Sequence, residues 1–279
     1  MLAWSEAAYR MAVVLLAVAF LTNFGTLFAR RGVHTLLGTL GSHGCWLLLT
    51  ASLLLRAVAR GHFPVQSAFE AVVLFVWTSL TAYILLERRL RWSAMNVVFL
   101  FLALGALLYS LGLPRDLTPT LPALRSQWLA VHVALNFTAY AALTLAFVLG
   151  LLYLGQEWQL KRKRYTLLYN LLPPLDRLEA LLHALLRLGF PLLTLGIVAG
   201  AFYARMVWGY FWDWRNAKLT WSFVLWLIYA GYFVLHEFAG WRGRRAVLWT
   251  VVGFLALLVN YGISLMVRTP HSFLQEFIR

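Results

Sequence analysis

Residues 128–155 read Trp128-Leu-Ala-Val-His-Val-Ala-Leu-Asn-Phe-Thr-Ala-Tyr-Ala-Ala-Leu-Thr-Leu-Ala-Phe-Val-Leu-Gly-Leu-Leu-Tyr-Leu-Gly155, a run without Asp, Glu, Lys or Arg. About 20 such residues suffice for a helix to cross the hydrocarbon of a bilayer. Only helices and closed barrels satisfy the backbone in lipid, and this run is apolar throughout instead of alternating, so it reads as a helix. Seven more apolar runs lie around it, at residues 9–29, 36–57, 67–86, 94–113, 188–207, 221–238 and 246–267. The expected fold is therefore an all-α membrane protein of about eight transmembrane helices, with residues 1–279 as one polytopic domain.

Composition agrees: 62% of the chain is hydrophobic and 12% charged, which excludes an ordinary soluble domain. The net charge of +14 resides mostly in short loops beside apolar runs, where it sets topology, so no nucleic-acid partner is expected. Cys45 is the single cysteine and sits inside an apolar run, so the chain has no intramolecular disulfide and no CxxC redox pair. The first run follows Glu6 and Arg10 and lacks a small-residue cleavage site, which marks it as a retained span. Of the 24 Lys and Arg residues, fourteen fall in the first, third, fifth and seventh loops, as compact clusters such as Lys161-Arg-Lys-Arg164. Those loops are expected in the cytoplasm, and both termini outside it. The chain is thus expected to be integral to a membrane.

The longest loop, 156–187, contains Pro173-Pro-Leu-Asp-Arg-Leu-Glu-Ala-Leu-Leu-His-Ala-Leu-Leu-Arg187. Proline opens helices well and the leucines recur at helical spacing, which predicts an amphipathic cytoplasmic helix lying on the membrane lipid. His183 belongs to it and reads as an interfacial residue.

Between the sixth and seventh runs lies Trp208-Gly-Tyr-Phe-Trp-Asp-Trp-Arg-Asn-Ala-Lys-Leu-Thr-Trp221. An aromatic belt at a membrane interface is one reading of it. The other is a platform for a flat ligand, with Arg215 and Lys218 meeting anionic groups at its edge; haem, a planar macrocycle with two carboxylates, fits. Loop polarity puts this stretch outside the cytoplasm. His132 and His271 are expected on the same face, and neutral imidazole is a strong axial ligand of haem iron. His62, in Gly61-His-Phe-Pro64, is a turn residue or a contact on that side. Glu70 falls near the outer end of the third span, where an acid calls for a functional or paired role; Arg56 and Arg60 are its candidate partners. His43 and His236 lie within spans and read as buried, hydrogen-bonded histidines.

The chain resembles the CcsA/ResC family of cytochrome c assembly membrane proteins from about residue 35 to 274. Gly61-His-Phe-Pro-Val-Gln-Ser-Ala-Phe-Glu70 is similar to that family's "GHFPLSNLYES", and Leu121-Pro-Ala-Leu-Arg-Ser-Gln-Trp-Leu-Ala-Val-His-Val133 to its "vPaLqSnWLxxHV". Leu188-Gly-Phe-Pro-Leu-Leu-Thr-Leu-Gly-Ile-Val-Ala-Gly200 resembles "iGFPLLTLGIxxG", and Trp226-Leu-Ile-Tyr229 with Gly240-Trp-Arg-Gly-Arg-Arg245 follows in order. The resemblance implies that the aromatic stretch corresponds to the haem-presenting "WGxYWxWDPKETW" loop. Trp208, Gly209, Trp212, Trp214 and Trp221 supply its frame, and His132 and His271 are the external haem ligands. Two departures stand out. After Trp214 the acids of the family loop are gone and one residue is added. The membrane histidine expected at Val234 is replaced by His236, turned about 200° around a regular helix.

What the resemblance implies is a haem-presenting subunit of cytochrome c biogenesis, as a component of a cytochrome c haem lyase. It would hold non-covalent haem b and work with a CcsB/ResB-like membrane protein and apocytochrome c. The altered loop and displaced histidine keep a second reading open, a HemX-like non-catalytic relative that supports haem metabolism. A scaffold subunit without haem is a third.

Overall fold

The computed structural model describes residues 1–26, 33–61, 63–65, 67–90, 93–115, 127–163 and 172–266. These form α1 (Leu2–Thr26), α2 (Val33–Arg60), α3 (Ala68–Leu90), α4 (Ser93–Leu111), α5 (Gln127–Lys161), α6 (Leu175–Trp208), α7 (Ala217–Glu237) and α8 (Arg244–Met266). All eight are long and apolar enough to span a membrane. Contacts between the ends of odd- and even-numbered helices fit an alternation of direction. Ser5, early in α1, meets Ser52, late in α2, at 3.0 Å, and Arg244, opening α8, meets Glu157, late in α5, at 3.3 Å. One end of the bundle therefore carries the 208–216 connection and is called the tryptophan end below.

Each run predicted from hydropathy is a helix, but several helices exceed their runs. Hydropathy ends where charge begins, whereas a helix continues wherever its polar groups find partners. Thus α1 starts at Leu2, not near residue 9, because the inward polar groups of its opening turns find partners: Ser5 Oγ donates to the Ser52 carbonyl at 3.0 Å, and Tyr9 Oη lies 2.7 Å from Ser110 Oγ and donates to the Leu107 carbonyl at 3.0 Å. At 1.5 Å per residue, the 35 residues of α5 and the 34 of α6 extend about 50 Å each, against a hydrocarbon layer of about 30 Å.

The amphipathic segment is corrected on this point. It is helical and amphipathic as expected, but it is the first part of α6, running without a break through Pro191. Leu178, Leu182 and Leu186 are fully buried along one stripe, with Leu182 Cδ1 over Gly150 of α5. Its apolar face therefore meets protein, not lipid.

A charged brace ties the first half of the molecule together at the tryptophan end. Glu70, fully buried at the start of α3, accepts from Arg56 Nε at 3.1 Å and from Arg60 Nη1 at 3.2 Å, so both partners predicted from sequence are engaged. Arg56 also donates to the Arg115 carbonyl at 3.0 Å, and Arg115 pairs with Glu6 of α1. Burial lowers the Arg115 pKa from its ordinary value. The arginine planes lie over rings, Arg56 over Phe69 at 4.9 Å and Arg115 over Tyr9 at 5.1 Å.

Candidate functional site

The second half of the bundle holds the best-defined polar site, and glycine makes the room for it. On α6, Gly196 and Gly200 are one turn apart and face α5. A Cβ on Gly200 would stand 2.5 Å from Cε1 and Nδ1 of His132, and one on Gly196 would stand 2.6 Å from Asn136 Nδ2. No side chain fits at either position while His132 and Asn136 keep their places, so small residues here let two helices close around an imidazole. His132 Nδ1 lies 2.7 Å from the Gly196 carbonyl. A carbonyl only accepts, so the proton is on Nδ1, and Nε2 keeps its lone pair. A backbone carbonyl on the second nitrogen also fixes ring orientation, as in many ligating histidines. The recess and the donor atom both fit axial coordination of a haem iron.

The polar line continues along α5. His132, Asn136 and Tyr140 are four residues apart and share one face. Asn136 Nδ2 donates to the His132 carbonyl at 2.8 Å, and Tyr140 Oη lies 3.5 Å from Asn260 Nδ2 of α8. Asn260 in turn accepts from Lys218 Nζ through its backbone oxygen at 3.0 Å and its side-chain oxygen at 3.1 Å. Ser222 joins at 3.3 Å. Lys218 forms no ion pair with a described residue.

The aromatic stretch is divided by the start of α7. Gly209, with φ of 83°, caps α6, a left-handed conformation that glycine adopts without strain. Asn216 caps α7 by accepting from the Lys218 and Leu219 amides at 3.0 and 3.3 Å. Residues 217–221, expected in the loop, are therefore helical, and that decides where their side chains go. Lys218, Trp221, Ser222 and Leu225 share the face of α7 toward α8, and the Trp221 indole donates to the Ala256 carbonyl at 3.0 Å. Trp212 and Trp214 lie together, ring centres 5.6 Å apart, each edge-on to Phe223, which stacks on Trp226. Trp208 is instead beside Tyr203 and Tyr210, at 6.0 and 6.1 Å.

The four tryptophans thus form separate groups instead of one surface. Trp214 is 63% exposed, while the buried Trp212 Nε1 has no hydrogen-bond partner among the described residues. Arg215 is exposed and its amide bonds to Asp213, so it remains at the edge; Lys218, expected there, has turned into the bundle. His271 and His62 lie outside the described residues. Glu70 belongs to the brace of the first half. His236 is 6% exposed and Val234 55%, so the two point in different directions as the helical count predicted. His183, read from sequence as interfacial, instead packs its ring on His236 at 3.9 Å.

Sequence reading missed Asn136, Tyr140, Gly196, Gly200 and Asn260. The four-residue spacing from His132 to Tyr140 and from Gly196 to Gly200 was the available signal, since each pair recurs on one helix face. Comparison with known proteins follows these landmarks. The model of the family described as "Cytochrome C assembly protein" matches residues 65–271. The chain is 32% identical to a "Cytochrome c biogenesis protein CcsA" of Synechococcus sp., over 96% of this chain and 94% of that one. Similar matches are a protein of the same description from Parasynechococcus marenigrum, 32% identical over 88% and 87% of the two chains, and one from Prochlorococcus marinus, 30% identical over 98% and 93%. The family match takes in the recess and the aromatic stretch alike, and with it this eight-helix membrane chain belongs to the family of cytochrome c assembly proteins.

Proposed function

We propose that the chain is the haem-presenting subunit of a cytochrome c assembly system, holding non-covalent haem b on the extracytoplasmic face for attachment to apocytochrome c. The observation that carries this reading is His132, whose ring is wedged between α5 and α6 with Nδ1 committed to the Gly196 carbonyl and Nε2 left as a ligand atom. His271 is the second axial ligand in this proposal. Trp212 and Trp214 offer ring faces to the macrocycle, and Arg215 meets a propionate from the rim. Lys218 acts from below, as a half-buried cation whose field favours an anionic ligand.

Haem supplies the vinyl groups to which apocytochrome thiols add. The protein's part is to hold the ring, orient it and set its electrostatic surroundings. A CcsB/ResB-like membrane protein is the proposed partner.

The test is the visible spectrum of the detergent-purified chain, oxidised and reduced, beside His132→Gly and His271→Gly variants. A six-coordinate low-spin spectrum is expected, lost in either variant and partly restored by added imidazole. Full haem occupancy in the double variant would overturn the ligand assignment, and a colourless chain in the presence of supplied haem would overturn the function.

A further inference from the structure

At the end of the bundle opposite the tryptophans, α6 and α7 bring two imidazoles and a carboxylate to one point. The rings of His183 and His236 stack with centres 3.9 Å apart and planes 14° from parallel. Glu237 Oε1 lies 3.1 Å from His236 Nδ1 and 3.5 Å from His183 Nε2. One ligand atom from each residue lies within 4.8 Å of the other two. Donors around a tetrahedral zinc, with bonds of about 2.0–2.1 Å, stand about 3.3 Å apart. The two contacts to the carboxylate bracket that separation, and the two nitrogens lie within 4.8 Å of each other.

The surroundings set the protonation a metal requires. His183 Nδ1 lies 3.1 Å from the hydroxyl of the buried Tyr232. With the proton on Nδ1 and given to that hydroxyl, His183 Nε2 turns a lone pair toward Glu237. At 3.1 Å from Glu237 Oε1, His236 Nδ1 donates its proton to the carboxylate in the metal-free site, and a metal takes the place of that proton. A proton relieves one contact, whereas a divalent cation satisfies all three.

We propose that His183, His236 and Glu237 form a binding site for a divalent transition-metal cation, zinc foremost, that clasps α6 to α7. The donor set decides the class. Two imidazoles and one carboxylate suit borderline ions such as zinc, whereas calcium and magnesium take oxygen donors. Access is available because the Glu237 side chain is 52% exposed while the histidines are 12% and 8% exposed, so solvent supplies the remaining coordination position. Arg242 stands close by and its charge opposes the cation; its Nη1 is held by the carbonyls of His236 and Trp241 at 2.9 and 3.3 Å. The site is therefore of moderate affinity. The clasp reinforces a junction otherwise made by the Trp226 indole on Thr194 Oγ1 at 3.0 Å and by Phe190 against Phe233.

The experiment uses the full-length chain in detergent, without an affinity tag, dialysed against zinc and analysed for bound metal. Cobalt serves as a visible probe of coordination geometry. About one equivalent is expected in the unaltered chain, with affinity more than tenfold weaker in His183→Gln and in Glu237→Gln and the four-coordinate cobalt spectrum lost in both. Glu237 is at the surface, so Glu237→Gln tests the site without loss of a buried group. Haem content, read in the same samples, reports separately on the His132 site. Equal zinc binding by the unaltered chain and either variant would overturn the proposal, as would an unaltered chain that holds no zinc.

Discussion

Two polar seams lie within the apolar bundle toward its tryptophan end, and they differ in how charge is settled. In the first half, Arg56 and Arg60 close on Glu70, and Arg115 closes on Glu6, so cations and anions answer one another. In the second half, the Lys218 ammonium meets, among the described residues, the amide and carbonyl oxygens of Asn260, and His132 meets a carbonyl through one nitrogen and keeps the other. Three guanidinium groups against two carboxylates leave the first seam with one net positive charge, but each of them is paired with a carboxylate, and breaking those pairs costs structure. In the second seam Lys218 has no described carboxylate partner and His132 Nε2 is left open, the features on which the proposed haem site rests.

The sharpest way to break this contrast is Glu70→Ala. Removing the acid leaves two buried guanidinium groups facing each other, at a cost of about 3–5 kcal/mol. A large drop in the thermal midpoint or the yield in detergent is expected, while haem bound per folded chain stays the same. A stable variant that has lost haem would move the brace from the scaffold to the site.

Gly200→Val acts on the other seam and is expected to cost less stability, about 1–3 kcal/mol, as overpacking does. Its Cβ, 2.5 Å from the His132 ring, drives the imidazole from its recess, so the low-spin spectrum should disappear. Gly155→Ala is the control, because a Cβ there meets nothing within 4 Å, and its spectrum should match that of the unaltered chain. Next in size is Trp221→Phe, which leaves the Ala256 carbonyl without its indole partner at a cost of about 1 kcal/mol. Haem is expected to remain, because Trp221 faces α8; its loss would return Trp221 to the platform.

The two seams were unequally legible in the sequence. Glu70 and its arginines could be paired in advance because a buried carboxylate demands a cation and few are within reach. The spans were equally plain, since about 20 apolar residues leave few alternatives. The extra turns of α5 and α6 were not, because Glu157, Lys161 and Glu179 lower hydropathy while their partners, such as Arg244 for Glu157 and the Gly243 amide for Glu179, lie in another helix or loop. The recess of His132 depends on the phase of α5 against α6, which no single-helix pattern contains. His183 was misread for the same reason: its partner His236 is on another helix, brought near only by packing. Lys218 was placed at the rim and Trp221 in the aromatic frame because the aromatic stretch was taken as loop to residue 221. The cap at Asn216 starts α7 earlier and turns both toward α8.

Lys218→Met is the smallest perturbation of stability and the finest test of the contrast. It removes a half-buried cation that no described acid compensates and keeps a side chain of similar length, so the stability change should stay within about 1 kcal/mol of zero, in either direction. Binding is expected to respond differently from folding. If Lys218 provides the positive field beneath an anionic ligand, the variant should fold as well as the unaltered chain yet hold haem several-fold less tightly, measured by haem transfer to an acceptor protein. The double change Lys218→Met with Asn260→Leu sharpens this, because it also removes the side-chain oxygen that holds the ammonium, leaving only the backbone carbonyl. Restored stability with haem still weakened would mean that the seam is kept for its ligand; unchanged haem affinity in both variants would mean that Lys218 serves only to join α7 to α8.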